Sequence, residues 1–184
     1  MEKGKKRTLS AIIISFMIYA IAGWCYEVIL ETFIYKWGFS NRGVLFGPYC
    51  PIYGVGIFLL IFLLERFKRH KEEKFTMKLL KPLLIFVGCT LIATIVELIA
   101  SYILEFATGS WPWQTYKDYK INFQGRIALS TSLRFGIGGT ACIYIVQPLF
   151  DFILSKFDKK KLNIAAIIVL AVLAVDCIFS FVIF

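Results

Sequence analysis

The residues of this sequence with chemical potential are ionisable groups set inside long apolar runs. Glu27 lies in one such run with Glu31 one helical turn later, on a face shared with Tyr19 and Gly23. Thr90, Thr94, Glu97, Ser101 and Glu105 step by three or four residues, which draws a polar stripe along an otherwise apolar helix. Arg126, Ser130 and Arg134 are spaced by four, and Asp176 is followed one turn later by Ser180. A charge surrounded by hydrocarbon is costly unless it faces a partner or water. Groups of this kind bind polar solutes, transfer protons, or pair to lock helices together.

Five apolar stretches position them, at 9–30, 48–64, 82–104, 127–147 and 162–184, each of about the length that crosses a bilayer core. The fold predicted is all-α, a polytopic membrane protein built as a bundle of five transmembrane helices in a single integral membrane domain over residues 1–184. Composition agrees: with 59% hydrophobic residues and a mean hydropathy of +0.74, there is more apolar surface than a soluble domain of this size could hide. The first run has a basic start but no small-residue cleavage site, which predicts a retained helix rather than a signal peptide.

A net charge of +9 in a soluble chain would suggest nucleic acid, yet here the bases cluster in short segments between apolar runs. They orient the chain and meet anionic membrane lipid, so no nucleic-acid partner is expected. The tail with Lys3, Lys5, Lys6 and Arg7, the segment Arg66 to Lys81, and Lys156 with Lys159 to Lys161 together hold 15 of the 21 Lys and Arg residues. Placing these on one side makes the N-terminus cytoplasmic and the C-terminus external. Trp37, Trp111, Trp113 and Tyr116 then fall in outer loops as an interfacial aromatic belt. The 111–126 loop is read as lying on the membrane surface, with a lid whose Arg126 meets an anionic group as the alternative.

On this topology Glu27, Glu97, Arg134 and Asp176 all fall in the outer halves of their helices. They are expected to line an outward-facing polar cavity, with Asn41, Arg42, Asn122 and Arg126 at its rim. The competing reading pairs Glu97 with Arg134 as a structural salt bridge. Glu31 and Glu105, near the interface, are expected to be solvated helix ends. Between the first two runs, Asn41-Arg42-Gly43-Val44-Leu45-Phe46-Gly47-Pro48 leads into Pro51-Ile52-Tyr53-Gly54. Gly43 and Gly47 permit unusual backbone angles and Pro48 suits the first turn of a helix, so a shaped re-entry turn is expected here. Gly136, Gly138 and Gly139 are expected to admit a neighbouring helix.

No phosphate-binding Gly-x-x-x-x-Gly-Lys-Ser/Thr loop is present, nor any metal-ligand cluster, so no cofactor is expected. The five cysteines, Cys25, Cys50, Cys89, Cys142 and Cys177, read as small buried hydrophobes. The lone His70 reads as a solvated loop residue. Three functions remain open: a transport component, a membrane-embedded enzyme using Glu27 or Glu97 as base on a lipid-linked substrate, and a non-catalytic scaffold or sensor subunit. Assembly into a homo-oligomer is also left open.

Gly23-Trp24-Cys25-Tyr26-Glu27, Asn41 to Pro48, Pro51 to Gly54, the intramembrane Glu97, and Asn122-Phe123-Gln124-Gly125-Arg126-Ile127 resemble the ABC-transporter type IV, or CmpB-like, family. The likeness runs from about Tyr19 to Phe150, and the family pattern commonly has a tryptophan where this chain has Arg134. The resemblance implies a small multi-pass protein of the bacterial plasma membrane acting as a permease. It also implies a separate ATPase subunit, expected to dock on the basic segment Arg66 to Lys81.

Overall fold

The computed structural model of the chain describes residues 7–36, 38–70 and 74–183. Lys3, Lys5 and Lys6 of the basic tail, Trp37 of the expected aromatic belt, Lys71 of the basic segment, and Phe184 lie outside the described residues. The architecture is all-α apart from one short hairpin. Helix α1, Leu9–Ile29, runs into a π turn at Leu30–Ile34, and α2 spans Pro51–Arg69. Helix α3 is Phe75–Thr108, α4 is Leu129–Ala141, α5 is Gln147–Leu154 and α6 is Lys159–Ile178. Strands β1, Asn122–Phe123, and β2, Ile127–Ala128, pair antiparallel before α4.

Among the described residues, four stretches are long and apolar enough to cross a membrane: Leu9–Ile34, Phe75–Thr108, Leu129–Leu154 and Lys159–Val182. Their flanks carry large exposed apolar side chains, among them Ile29, Phe106, Ile137 and Ile167, which in water would be an aggregation surface and in a bilayer face lipid. The expected second span does not reach this standard. Helix α2 begins at Pro51 rather than Pro48, and its last turn already carries Arg66, Lys68 and Arg69. Proline opens it because the first helical N–H has no partner to lose.

Other boundaries also move. Helix α3 extends seven residues before Pro82 and ends at Gly109, whose left-handed φ of 79° closes the cap. The fourth helix starts at Leu129, not Ile127, and does not stop at Pro148. A π turn at Cys142–Val146 loosens the backbone ladder just before that proline, so the missing N–H is absorbed and the rod continues to Leu154. The described part of the most basic segment correspondingly belongs to two helix ends, that of α2 up to Arg69 and that of α3 from Phe75.

Contacts cluster into two units, 1–55 with 148–184, and 56–147. In the first, α1 and α6 run side by side with their basic ends together. Arg7 grips Asp151 through Nε and Nη2 at 2.6 Å each, and Ser10 Oγ donates to Asn163 Oδ1. Its core is Met17, Ala20, Leu45 and Tyr49, with Val169 and Leu173 packed on it. In the second, α3 lies against α4 around Leu60, Ile85, Cys89 and Ile143. Lys81, buried, donates to the carbonyls of Lys68 and His70 at the end of α2, and Lys68 Nζ donates to Ile143 O at 2.8 Å. The Lys81 ammonium thus satisfies helix-end carbonyls that have no intrahelical donor, while Lys68 reaches a carbonyl inside the π turn at Cys142–Val146.

The buried-cysteine expectation is met by Cys50, Cys89 and Cys142, whereas Cys25 and Cys177 are exposed. Both sit on outward faces of apolar helices, where a small side chain costs nothing in lipid.

Candidate functional site

The polar residues gather at the end of each unit opposite its basic residues. In the first unit, residues 41–50 do not pass over the helix ends but fold inward. Leu45, Tyr49 and Cys50 are buried, and the Cys50 N–H donates to Ala20 O at 2.9 Å, roughly 16 Å along α1 from Leu9 at 1.5 Å per residue. Irregular backbone at such depth is tolerated only where protein satisfies its polar groups. Asn41 does part of this: it accepts from Trp24 Nε1 at 2.8 Å and donates to Leu45 O and Phe46 O. Gly43 carries the one positive φ within the turn, at 94°, while Gly47 does not need its freedom.

Asp176 does the rest. Its carboxylate accepts from Phe46 N at 3.0 Å, Gly47 N at 2.8 Å, the Tyr49 hydroxyl and Ser180 Oγ at 3.0 Å. Glu27 accepts from the Tyr53 hydroxyl, whose ring packs directly over Gly23. A Cβ at Gly23 would lie 2.2 Å from that ring, so only glycine lets Tyr53 reach Glu27.

Glu31 is not a solvated helix end. It is 4% exposed, sits in the π turn, forms an ion pair with Arg42, and accepts from Ser40 Oγ at 2.8 Å. The wider π turn departs from the α-helical register that a residue count assumes, and π turns of this kind recur at functional positions.

In the second unit the segment after α3 folds back onto that helix as a cap. Gln124 and Gly125, both at positive φ, form a tight turn closed by Arg126 N to Phe123 O at 2.9 Å. Asn122 braces it, accepting from Gly125 N at 2.9 Å and donating to Tyr119 O at 2.7 Å. Arg126 is therefore a hairpin residue and not the start of a helix. Its guanidinium lies between the rings of Tyr102 and Trp111, 4.0 and 4.2 Å from their centroids, and pairs with Glu105. It also reaches the fully buried Ser101 at 3.4 Å.

The aromatics of this segment turn onto the chain itself, Trp111 buried and Trp113 and Tyr116 half-buried. Trp111 is 8% exposed and its Nε1 donates to Gly125 O, while Trp113 Nε1 donates to Arg126 O at 2.8 Å. Tyr116 reaches down to Glu97, its hydroxyl 2.9 Å from Oε1, and Glu97 is 5% exposed. Glu97 and Ser101 of the polar stripe of α3 are thus buried under the cap, while Glu105 at its far end stays partly exposed. Nearer the middle, Thr90 and Thr94 turn their hydroxyls onto Phe86 O and Thr90 O of their own helix.

Of the residues expected to line or rim a cavity, Glu27, Asn41, Arg42 and Asp176 belong to the first unit, and Glu97, Asn122, Arg126 and the half-buried Arg134 to the second. Sequence reasoning missed their tyrosine and tryptophan partners: Trp24, Tyr49, Tyr53, Tyr102 and Trp111. For Tyr49 and Tyr53 the signal was present in the Pro-Tyr-Cys-Pro-Ile-Tyr-Gly stretch. Chemically, each unit offers carboxylates held by phenolic donors, the half-buried Glu27 and Asp176 in the first and the buried Glu97 in the second, beside an arginine ion pair.

The chain matches no curated protein and no solved structure. A family model does match, over residues 14–181, and so takes in both units and all of the residues just described. The chain belongs to the family described as Putative ABC-transporter type IV.

Proposed function

We propose that the chain is a membrane transport component whose polar groups beneath the external surface bind a polar or charged solute or a lipid headgroup. The observation that supports it most is Glu97, buried on an apolar helix and covered by a cap that contributes Tyr116 and Arg126. A buried carboxylate is expensive in hydrocarbon unless it faces a partner or a ligand, and the cap supplies polar groups directly above it. Glu27 with Tyr53 is the corresponding group of the first unit.

In this reading the basic ends face the cytoplasm and the C-terminus faces outward, in a bacterial plasma membrane. The fifth crossing is shared: residues 41–50 fold inward to the depth of Ala20, and α2 completes the passage. Glu97→Gln tests the site. Mass spectrometry of small molecules and lipids retained by the purified chain should show about tenfold less of the bound species, the loss expected for one charge-assisted hydrogen bond. Unchanged retention with a large fall in unfolding temperature would instead make Glu97 a scaffold element.

ATP hydrolysis must come from a separate subunit, since the chain has no phosphate loop. The exposed cations Arg66, Arg69, Lys74 and Lys78 are the surface for it, whereas Lys68 and Lys81 are committed to backbone carbonyls. Reversing Arg66, Arg69 and Lys78 to Glu should abolish co-purification of an ATPase while leaving the unfolding temperature within a few degrees. An intact complex after reversal would remove this docking surface.

A further inference from the structure

A cleft of about 690 Å³ opens between the 46–49 turn and the stripe Ala171, Val172, Val175 and Phe179 of α6. That volume falls within the roughly 300–1,000 Å³ of small-molecule sites. Its walls are apolar, and the polar atoms at its head belong to Asp176 and Tyr49. Two successive backbone N–H groups and a phenol converging on one carboxylate make an anion nest, and this one is filled from within the chain.

We propose that the 46–49 turn is a receptor for the carboxylate of a membrane-soluble long-chain acid, whose tail lies in the cleft and whose head displaces Asp176. The acid enters neutral from the lipid. Its O–H bond breaks, the proton passes to the Asp176 carboxylate, and the ligand's carboxylate takes the N–H groups of Phe46 and Gly47 and the Tyr49 hydroxyl. Asp176 leaves as a neutral acid beside Ser180, so no net charge enters the hydrocarbon. Displacement also unties α6 from the turn. The assignment goes beyond the transport reading and does not depend on it, because none of its groups is Glu97 or part of the cap.

The test is rescue of the full-length Asp176→Ala variant in detergent micelles. The variant should unfold at a lower temperature than the parent, and laurate should restore at least half of the shift, acetate clearly less, and dodecanol or dodecyltrimethylammonium none. Rescue by dodecanol equal to that by laurate, equal rescue by acetate, or no rescue would each overturn the assignment. A second variant covers failure of the first to fold: Ala171→Trp fills the cleft from an exposed position. It should weaken binding of a fluorescent fatty acid about tenfold or more, the loss expected for excluding several buried methylenes. Unchanged binding there would also sink the proposal.

Discussion

Arg42→Ala is expected to cost about 3–5 kcal/mol of stability, measured by denaturant unfolding in micelles, because it strands a buried carboxylate. Glu31 is 4% exposed, and without the Arg42 guanidinium only the Ser40 hydroxyl would remain to it among the bonds described. The expense lies in leaving one charge alone, not in the worth of the pair. Accordingly Glu31→Leu combined with Arg42→Met should recover most of the loss, since replacing a whole buried pair by apolar groups is often neutral. A single Arg42→Ala cost below about 1 kcal/mol would mean that water reaches Glu31 and that the pair behaves as a surface bridge.

The same pair marks where sequence reasoning stopped. Counting residues along α1 placed Glu31 at a helix end, which was correct, but not beneath Arg42 and Ser40, because the inward fold of 41–50 has no periodic signal. That stretch was legible as a shaped turn from Gly43 and its prolines. How deeply it descends depends on long-range bonds, Cys50 to Ala20 and Asp176 to Phe46 and Gly47, which no local pattern encodes. The long apolar helices were legible because eighteen or more apolar residues need no tertiary context.

The cap shows the opposite failure. Arg126, Ser130 and Arg134 at steps of four read as one helical face, yet Gln124 and Gly125 at positive φ turn the chain into a hairpin first. Trp111 and Trp113 read as interfacial because tryptophan often is. Here each indole N–H is used by a hairpin carbonyl, and Arg126 stacks on the ring of Trp111. The buried stripe ending in Glu97 and Ser101 was legible from spacing alone, since polar residues on one face of an apolar helix must meet something.

Gly136→Val should destabilise the second unit by about 1–3 kcal/mol, while Gly138→Val stays within about 0.5 kcal/mol of the parent. All three glycines of the Gly-Ile-Gly-Gly run look alike as a sequence, and the difference is which way each faces. A Cβ at Gly136 would sit 2.0 Å from Thr90 Oγ1 and 2.9 Å from the Phe86 ring, and one at Gly139 would meet Leu60 and Cys89 at 2.7 and 3.1 Å. At Gly138 nothing lies within 4 Å. The close approach of α4 to α3 therefore depends on Gly136 and Gly139, as small residues do at membrane helix seams where no hydrophobic effect draws helices together. Because the atom first met at Gly136 is a hydroxyl, Thr90→Ala should relieve part of the cost of Gly136→Ala, a coupling measurable in a double-mutant cycle. Equal effects at Gly136 and Gly138 would mean that α4 is rotated about its axis, and the face that α3 presents to it would have to be redrawn.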